Sequence, residues 1–354
     1  MDGFYGRFLK INLTDSQFDV VTLTEEILLK YLGGKGLASY LLYSINPPGV
    51  DPLSPDNCLI FATGPVTNSR IWGSSRYGVF AKSPQTGFFS ESYAGGKVPE
   101  AVDSTGFDAI VIVGKSERPT VVVIQPDGVK FNDASSIWGM DTYQTEDTVN
   151  QKFGSVGEGT TKSGAVVIGP AGENLVRFAV IENDYWRSAG RTGVGTVMGS
   201  KNLKAIVFKG DRKRPLFQKE HLGQFSKTLA EESKNNPIVQ AYRTMGTPMM
   251  VKTVNQAMAF PTKYWSESFF DKWENIGSEA LHSQCRVQPR ACSKCFIACG
   301  RMTTVLNGRH AGLMIEGPEY ETIFAFGGLC MIDSIEEIAY LNDICDRLGM
   351  DTIS

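Results

Sequence analysis

The chain has 354 residues, 42% hydrophobic and 21% charged, a balance that excludes disordered, collagen-like and coiled-coil proteins and leaves room for two domains. Lys and Arg number 35 against 38 Asp and Glu, a formal charge of −3 with no long basic stripe, so neither a nucleic-acid nor an anionic-membrane partner is expected. The longest apolar runs, such as Ala109–Val113, fall far short of a membrane span, and the first residues carry no apolar leader, which predicts a cytoplasmic protein.

In chain order, β-branched and aromatic runs between turn signals predict strands at Phe8–Leu13, Phe18–Leu23, Leu59–Thr63, Gly78–Lys82, Ala109–Val113, Thr120–Gln125, Ala165–Ile168, Arg177–Glu182 and Ala205–Lys209. Helical spacing covers Glu25–Leu42, interrupted by Gly33-Gly34-Lys35-Gly36, and Asp141–Phe153. Strands and helices do not alternate strictly, so residues 1–210 are predicted to form packed, mostly antiparallel sheets rather than a doubly wound sheet. The charged run Lys209–Pro215 is read as a solvated linker. Beyond it, residues 211–354 are rich in helix formers, as at His221–Lys234 and Ile335–Leu348, and predict a mainly helical second domain. The fold class is α+β.

Two compositional excesses carry the chemistry. Glycine numbers 37, above the ordinary share of roughly 7%. Of seven cysteines, Cys58 stands alone early, while Cys285, Cys292, Cys295, Cys299, Cys330 and Cys345 fall in the last seventy or so residues. An odd count without export signals argues against a disulfide framework and for thiolates as metal ligands. Cys292, Cys295 and Cys299 form a C-x2-C-x3-C run that points to a [4Fe–4S] cluster ahead of zinc, which favours two separated pairs, or buried structural thiols. Cys285 is a candidate fourth ligand.

Arg187-Ser-Ala-Gly190-Arg191-Thr-Gly193-Val-Gly195 combines close-approach glycines with bidentate arginine donors suited to a phosphate or polar heterocycle. The spacing is not a Rossmann fingerprint, and tight turns or close packing explain such glycines equally well. Gly114-Lys115-Ser116 lacks the first glycine of a P-loop. Arg76, in Gly73–Gly78, is a candidate anion clamp ahead of Tyr93-Ala94-Gly95-Gly96. Glu316, Glu319 and Glu321 gather at a helix start, where they complement the dipole or present Glu321 to a cleft as an acid/base residue. Gly349 caps the last helix. The histidines, at 221, 282 and 310, share no metal-ligand spacing and are expected at the surface.

Together these motifs, with Phe4–Leu13, Tyr31–Leu37, Leu59–Pro65, Met198–Ile206 and Gly317–Thr322, resemble the aldehyde:ferredoxin oxidoreductase family along the whole chain. The resemblance implies a strand-rich base under a tungsten (or molybdenum) bis-pterin. Arg76, Gly95, Arg187, Gly190 and Arg191 would contact the pterin phosphates or rings, and Asp346, Met350 and Asp351 would form a pterin-binding motif with Met in place of Leu. Backbone carbonyls of Tyr93 and Ser188 would face a magnesium ion bridging the phosphates. The family more often has Asn where Tyr93 stands, so only a carbonyl contact is expected there.

The same resemblance implies that Cys292, Cys295 and Cys299 bind the [4Fe–4S] cluster and that Glu321 works beside the metal. It implies an aldehyde substrate and ferredoxin as acceptor, and leaves a homodimer open. Tyr340 and Asp343 stand where some relatives carry an interfacial iron site, so none is expected. A fourth cluster cysteine, a second pterin motif and a histidine would lie beyond position 354, making the expected chain part of a larger enzyme. The rival expectations are an aryl-CoA reductase-like subunit and a non-catalytic piece.

Overall fold

A computed structural model of the chain describes residues 1–154 and 161–354. Its contacts separate two units, one comprising Met1–Gly223 with Asp346–Asp351, the other Gln224–Cys345 with Thr352–Ser354. In the first unit, strands β1 (Arg7–Asn12), β2 (Gln17–Thr22), β3 (Leu59–Ala62), β4 (Tyr77–Lys82), β5 (Phe89–Ala94) and β6 (Ala109–Val113) make one sheet in the order β2-β1-β6-β3-β4-β5. Strands β7 (Thr120–Gln125), β8 (Gly128–Asp133), β9 (Lys162–Val167), β10 (Ile181–Asn183), β11 (Arg187–Ala189) and β12 (Leu203–Gly210) make a second, ordered β11-β10-β9-β12-β7-β8. Among the described residues each sheet has a single parallel pair, β1 with β6 and β7 with β12; the other pairings are antiparallel. The α+β class with mostly antiparallel sheets holds.

The strand sequences explain the layering. Successive side chains of a strand point to opposite faces, so a strand buried on both sides is apolar throughout. In β6, Ile110 and Ile112 join Leu9, Phe61 and Val79 in the core between the sheets, where they meet Val122, Ile206 and Phe208 of the second sheet. Ala109 and Val111 face the other way, against Leu28, Leu37 and Leu41 of helices Glu25–Tyr31 and Gly34–Ile45. The second sheet repeats this: Val121, Val123, Ala205 and Val207 pack with Val149 of helix Thr142–Phe153. Each fully buried aliphatic side chain contributes roughly 1.5–3 kcal/mol.

The charged run after β12 is not a solvated linker throughout. Arg214 is buried: its Nη2 lies 2.7 Å from Asp103, its Nη1 lies 2.5 Å from Asp108 and donates to the Gly3 carbonyl, and Nη2 donates to Thr63 Oγ1. The guanidinium also lies 4.6 Å from the Tyr5 ring centre. Desolvating a guanidinium is tolerable only with such full pairing. Arg214 thus fastens the N-terminal segment to the first sheet.

Residues Asp346–Asp351 complete this unit. The Val180 N–H donates to the Gly349 carbonyl at 2.9 Å, the Asp351 N–H to the Phe178 carbonyl at 3.1 Å, and Thr142 Oγ1 to the Asp346 carbonyl at 2.7 Å. Gly349 turns the chain in the left-handed region at φ 74°, the expected helix cap.

The second unit is mainly helical, with helices that include Pro237–Met245, Met250–Gln256 and Ser278–Gln284 and most of Ile335–Leu348. It also holds a small antiparallel sheet absent from the sequence expectation, β13 (Cys285–Arg290), β14 (Gly300–Val305) and β15 (Met314–Glu316).

Two outcomes follow from the packing. Arg214→Met leaves Asp103 and Asp108 buried without their cation and is expected to cost about 3–5 kcal/mol in urea unfolding. Burial pushes the Glu146 carboxyl up to about 7 from an ordinary 4.5. Between these values the folded chain keeps a proton that the unfolded chain has released, so this group's stabilisation is complete below pH 4.5 and fades as pH rises to 7, by up to about 3 kcal/mol. Glu146→Gln should flatten that stretch of the stability profile; an unchanged slope would contradict the assignment.

Candidate functional site

In the first unit, the edge strands β5 and β11 are sewn together by side chains. The Arg191 N–H donates to Ser92 Oγ at 3.1 Å, Asn183 Nδ2 donates to the Gly95 carbonyl at 3.1 Å, and the Ser90 and Thr192 hydroxyls share a hydrogen bond. Tyr77 Oη fixes Asn183 from the other side by donating to its Oδ1 at 2.8 Å. The β10–β11 turn puts Asp184 and Tyr185 in the left-handed region, costly for residues with side chains. Glu146 offsets the cost by accepting from both backbone N–H groups, at 3.0 and 2.9 Å. Nothing in local sequence marks Asn183 or Glu146: their partners lie 88 and about 40 residues away.

Most of the predicted site residues of this unit gather around that seam. Arg187 and Ser188 lie on β11, opposite Asn183 and Glu182. Tyr93 on β5 is exposed and donates its hydroxyl to Glu91 at 3.1 Å; burial of the phenol oxygen, then this bond, pushes it up to about 12. Arg76 is exposed, next to buried Ser75, whose hydroxyl donates to the Gly96 carbonyl at 3.0 Å. Arg191 is exposed, with Nε 3.5 Å from Asp351 Oδ2. Met350 forms a bridge with Ala179, and Asp346 is buried.

Gly190 is the least crowded of the glycine run: an added Cβ would lie 3.3 Å from Ser188 Oγ and 3.8 Å from Asp351 Oδ1. At Gly193, Gly195 and Gly199 a Cβ would fall 2.0, 2.2 and 2.0 Å from the carbonyls of Arg177, Val180 and Gly172. Those three serve packing of helix Val194–Ser200. Beneath the seam, Glu182 is wholly buried, and burial, then the neighbouring charges of Asp346 and Glu146, holds its carboxyl well above the usual range.

In the second unit, Cys292, Cys295 and Cys299 lie half-buried in the loop joining β13 to β14. The Cys295 N–H donates to the Cys292 carbonyl at 3.1 Å, and Lys294 and Ala298 turn the chain through the left-handed region. Among the described residues no three Cys, His, Asp or Glu side chains stand close enough here to share a metal ion. Cys285 is not a fourth ligand. It pairs with Val305 at the far end of the ladder whose loop end is Arg290–Gly300, roughly 17 Å away at 3.4 Å per residue. Burial also pushes its thiol up to about 11, the signature of an inert core cysteine.

The three glutamates separate. Glu316 on β15 is buried with Arg290 Nε at 3.0 Å, and Glu319 takes a hydrogen bond from Thr247 Oγ1. Glu321, on helix Tyr320–Ile323, is exposed, and its carboxylate makes no hydrogen bond or ion pair among the described residues. His310 is not a free surface residue but stacks on Tyr340 with ring centres 3.9 Å apart.

A model of the aldehyde ferredoxin oxidoreductase N-terminal domain matches residues 8–210, and one of domains 2 and 3 matches residues 224–354. The chain is 38% identical, over its whole length, to tungsten-containing aldehyde ferredoxin oxidoreductases of Pyrococcus furiosus and Thermococcus kodakarensis, covering 57% of each. It is 30% identical to the WOR-like subunit of an aliphatic sulfonate oxidoreductase of Pyrococcus furiosus, covering 58% of it. All of the chain superposes, with a TM-score of 0.81 and 25% identity, on 54% of a chain of the active-site complex of benzoyl-coenzyme A reductase with bound 1,5-dienoyl-coenzyme A. The chain therefore spans little more than half the length of these relatives. With matches running from residue 8 to residue 354, the chain belongs to the aldehyde ferredoxin oxidoreductase family.

Proposed function

We propose that this chain carries the cofactor-binding part of an oxidoreductase that oxidises an aldehyde with water to a carboxylic acid, its two electrons leaving through a [4Fe–4S] cluster to ferredoxin. The observation that supports this reading is the approach of Asp351 to Arg191 and Gly190 across 160 residues of sequence, which brings two of the predicted pterin motifs side by side.

The residues suit the groups. Arg76 and Arg191 are exposed guanidiniums fit for phosphates, and the Asp351 carboxylate accepts from ring N–H donors of a pterin. Tyr93 and Ser188 sit on edge strands, where every second backbone carbonyl faces away from the sheet and is of the kind a magnesium ion takes. Three thiols on one turned loop are the soft donors a cluster takes, with loop closure coupled to its binding. A bound tungsten (or molybdenum) bis-pterin supplies the two-electron couple. The Arg76, Arg187 and Arg191 side chains bind and orient it; Asn183 and Glu146 keep that surface in register. Glu321 accepts the proton lost by the water oxygen as it adds to the aldehyde carbon.

The full-length enzyme that contains this chain, held anaerobic and loaded with its tungsten pterin, is expected to reduce a viologen when given an aldehyde, and Glu321→Gln to lower turnover about 10²-fold or more with the metal retained. No aldehyde-dependent reduction sinks the activity; full turnover in Glu321→Gln removes the proton-transfer role. Separately, Cys295→Ser should abolish bound iron measured after reconstitution, whereas Cys285→Ser should leave it intact. The likeness to the benzoyl-coenzyme A reductase complex favours one second reading, a low-potential reductase of an aryl thioester. Reoxidation of reduced enzyme by benzoyl-coenzyme A, without reduction of viologen by aldehydes, would select it.

A further inference from the structure

Arg301 stands on β14 two residues after Cys299 and is 1% exposed, among the largest wholly buried side chains of the chain. Its Nη2 donates to three carbonyls, those of Ala298 at 2.9 Å, Cys299 at 3.3 Å and Tyr242. The Ala298 and Cys299 carbonyls belong to the limb of the loop that presents the third thiol. The other two nitrogens, Nε and Nη1, are buried without a hydrogen-bond partner among the described residues. An arginine inside a protein is ordinarily fully paired, because leaving a charged donor unpaired costs several kcal/mol. The surroundings are shaped to hold it. Gly246, in the left-handed region at φ 69°, leaves the space that Arg301 fills: a Cβ there would fall 2.5 Å from Nε and 3.1 Å from the Cys299 carbonyl.

A buried cation with spare donors, anchored to the backbone of a cysteine loop, matches an anion that arrives with that loop. Cluster thiolates and sulfides carry such charge, and hydrogen bonds and fixed charges around them set the reduction potential. We propose that Arg301 is a positioning residue for the cluster loop: it clamps the Ala298–Cys299 limb through backbone carbonyls, and its fixed positive charge raises the reduction potential of the cluster held by Cys292, Cys295 and Cys299. This rests on the cluster reading above and adds to it a residue outside the ligand set. The cation stabilises the extra negative charge of the reduced cluster, so removing it makes reduction harder.

The test is an EPR-monitored redox titration of the full chain reconstituted anaerobically with iron and sulfide, comparing wild type with Arg301→Met, Arg301→Lys and Gly246→Ala. The expected result is wild-type iron content in Arg301→Met with a more negative midpoint, and a smaller shift in Arg301→Lys, which keeps the charge and loses the fork. Equal midpoints in wild type, Arg301→Met and Arg301→Lys overturn the proposal. Should Arg301→Met not accumulate as folded protein, Arg301→Lys and Gly246→Ala carry the test, since both keep the charge and displace it: changed midpoints or an altered EPR line shape support the role, and unchanged ones in both overturn it. Failure of the wild type itself to bind iron, or retention of iron by Cys295→Ser, would instead overturn the cluster reading.

Discussion

The backbone of Asp346–Asp351 returns to the sheet-rich unit after more than 120 residues spent in the other, and it is held there by hydrogen bonds to the backbone of Phe178 and Val180 and to the Thr142 hydroxyl. Closing so long an excursion carries an entropic cost that grows only slowly with length, which a few buried backbone hydrogen bonds and good packing can offset. The close fit is visible at Gly169, where a Cβ would lie 2.4 Å from the Leu348 carbonyl. Without this docking, Asp351 would not reach Arg191, and the surface around Gly190 would lose its acidic member.

Legibility in the sequence followed side-chain type more than burial, since β2 is exposed along nearly all its length. Strands β6 and β7 coincide with their expected limits, and β1 and β2 lie one residue earlier, because the runs are apolar or β-branched and stop at clear turn signals. Strands β5, β8 and β11 were hidden: Phe-Ser-Glu-Ser-Tyr-Ala and Gly-Val-Lys-Phe-Asn-Asp are edge strands with polar faces, and Arg-Ser-Ala has only three residues. Helix Val194–Ser200 was hidden for the opposite reason. Its glycines depress helix propensity, yet tertiary contact demands them, since Gly195 and Gly199 lie against backbone carbonyls. Pro289 and two arginines masked β13, and with it the distance between Cys285 and the cysteine loop.

The candidate site was legible as a set of motifs and not as an assembly. Arginines, glycines and aspartates stood out by residue type, whereas the groups that fix them did not. Asn183 acts on Gly95 and Tyr77 through contacts of 88 and 106 residues separation, and Arg214 was indistinguishable from its solvated neighbours until Asp103 and Asp108 closed around it. Side chains that act through tertiary pairing leave no periodic trace in one sequence.

Charge at the seam is governed by depth rather than by count. Glu146, Glu182 and Asp346 are all buried, whereas Arg76, just before β4, and Arg191, just after β11, are exposed, so a simple tally would make the region acidic. Burial, and after it the neighbouring carboxylates, disfavours the charged form, and both Glu146 and Glu182 are accordingly raised. Glu146 nevertheless keeps both carboxyl oxygens as acceptors for the Asp184 and Tyr185 N–H groups, bonds that favour its ionised form and oppose the rise. The exposed Arg191 there lies 3.5 Å from the carboxylate of Asp351, whose side chain is only 6% exposed. Under the proposed reading, the guanidinium would meet a phosphate of a phosphorylated heterocycle and the carboxylate would accept from its ring N–H groups.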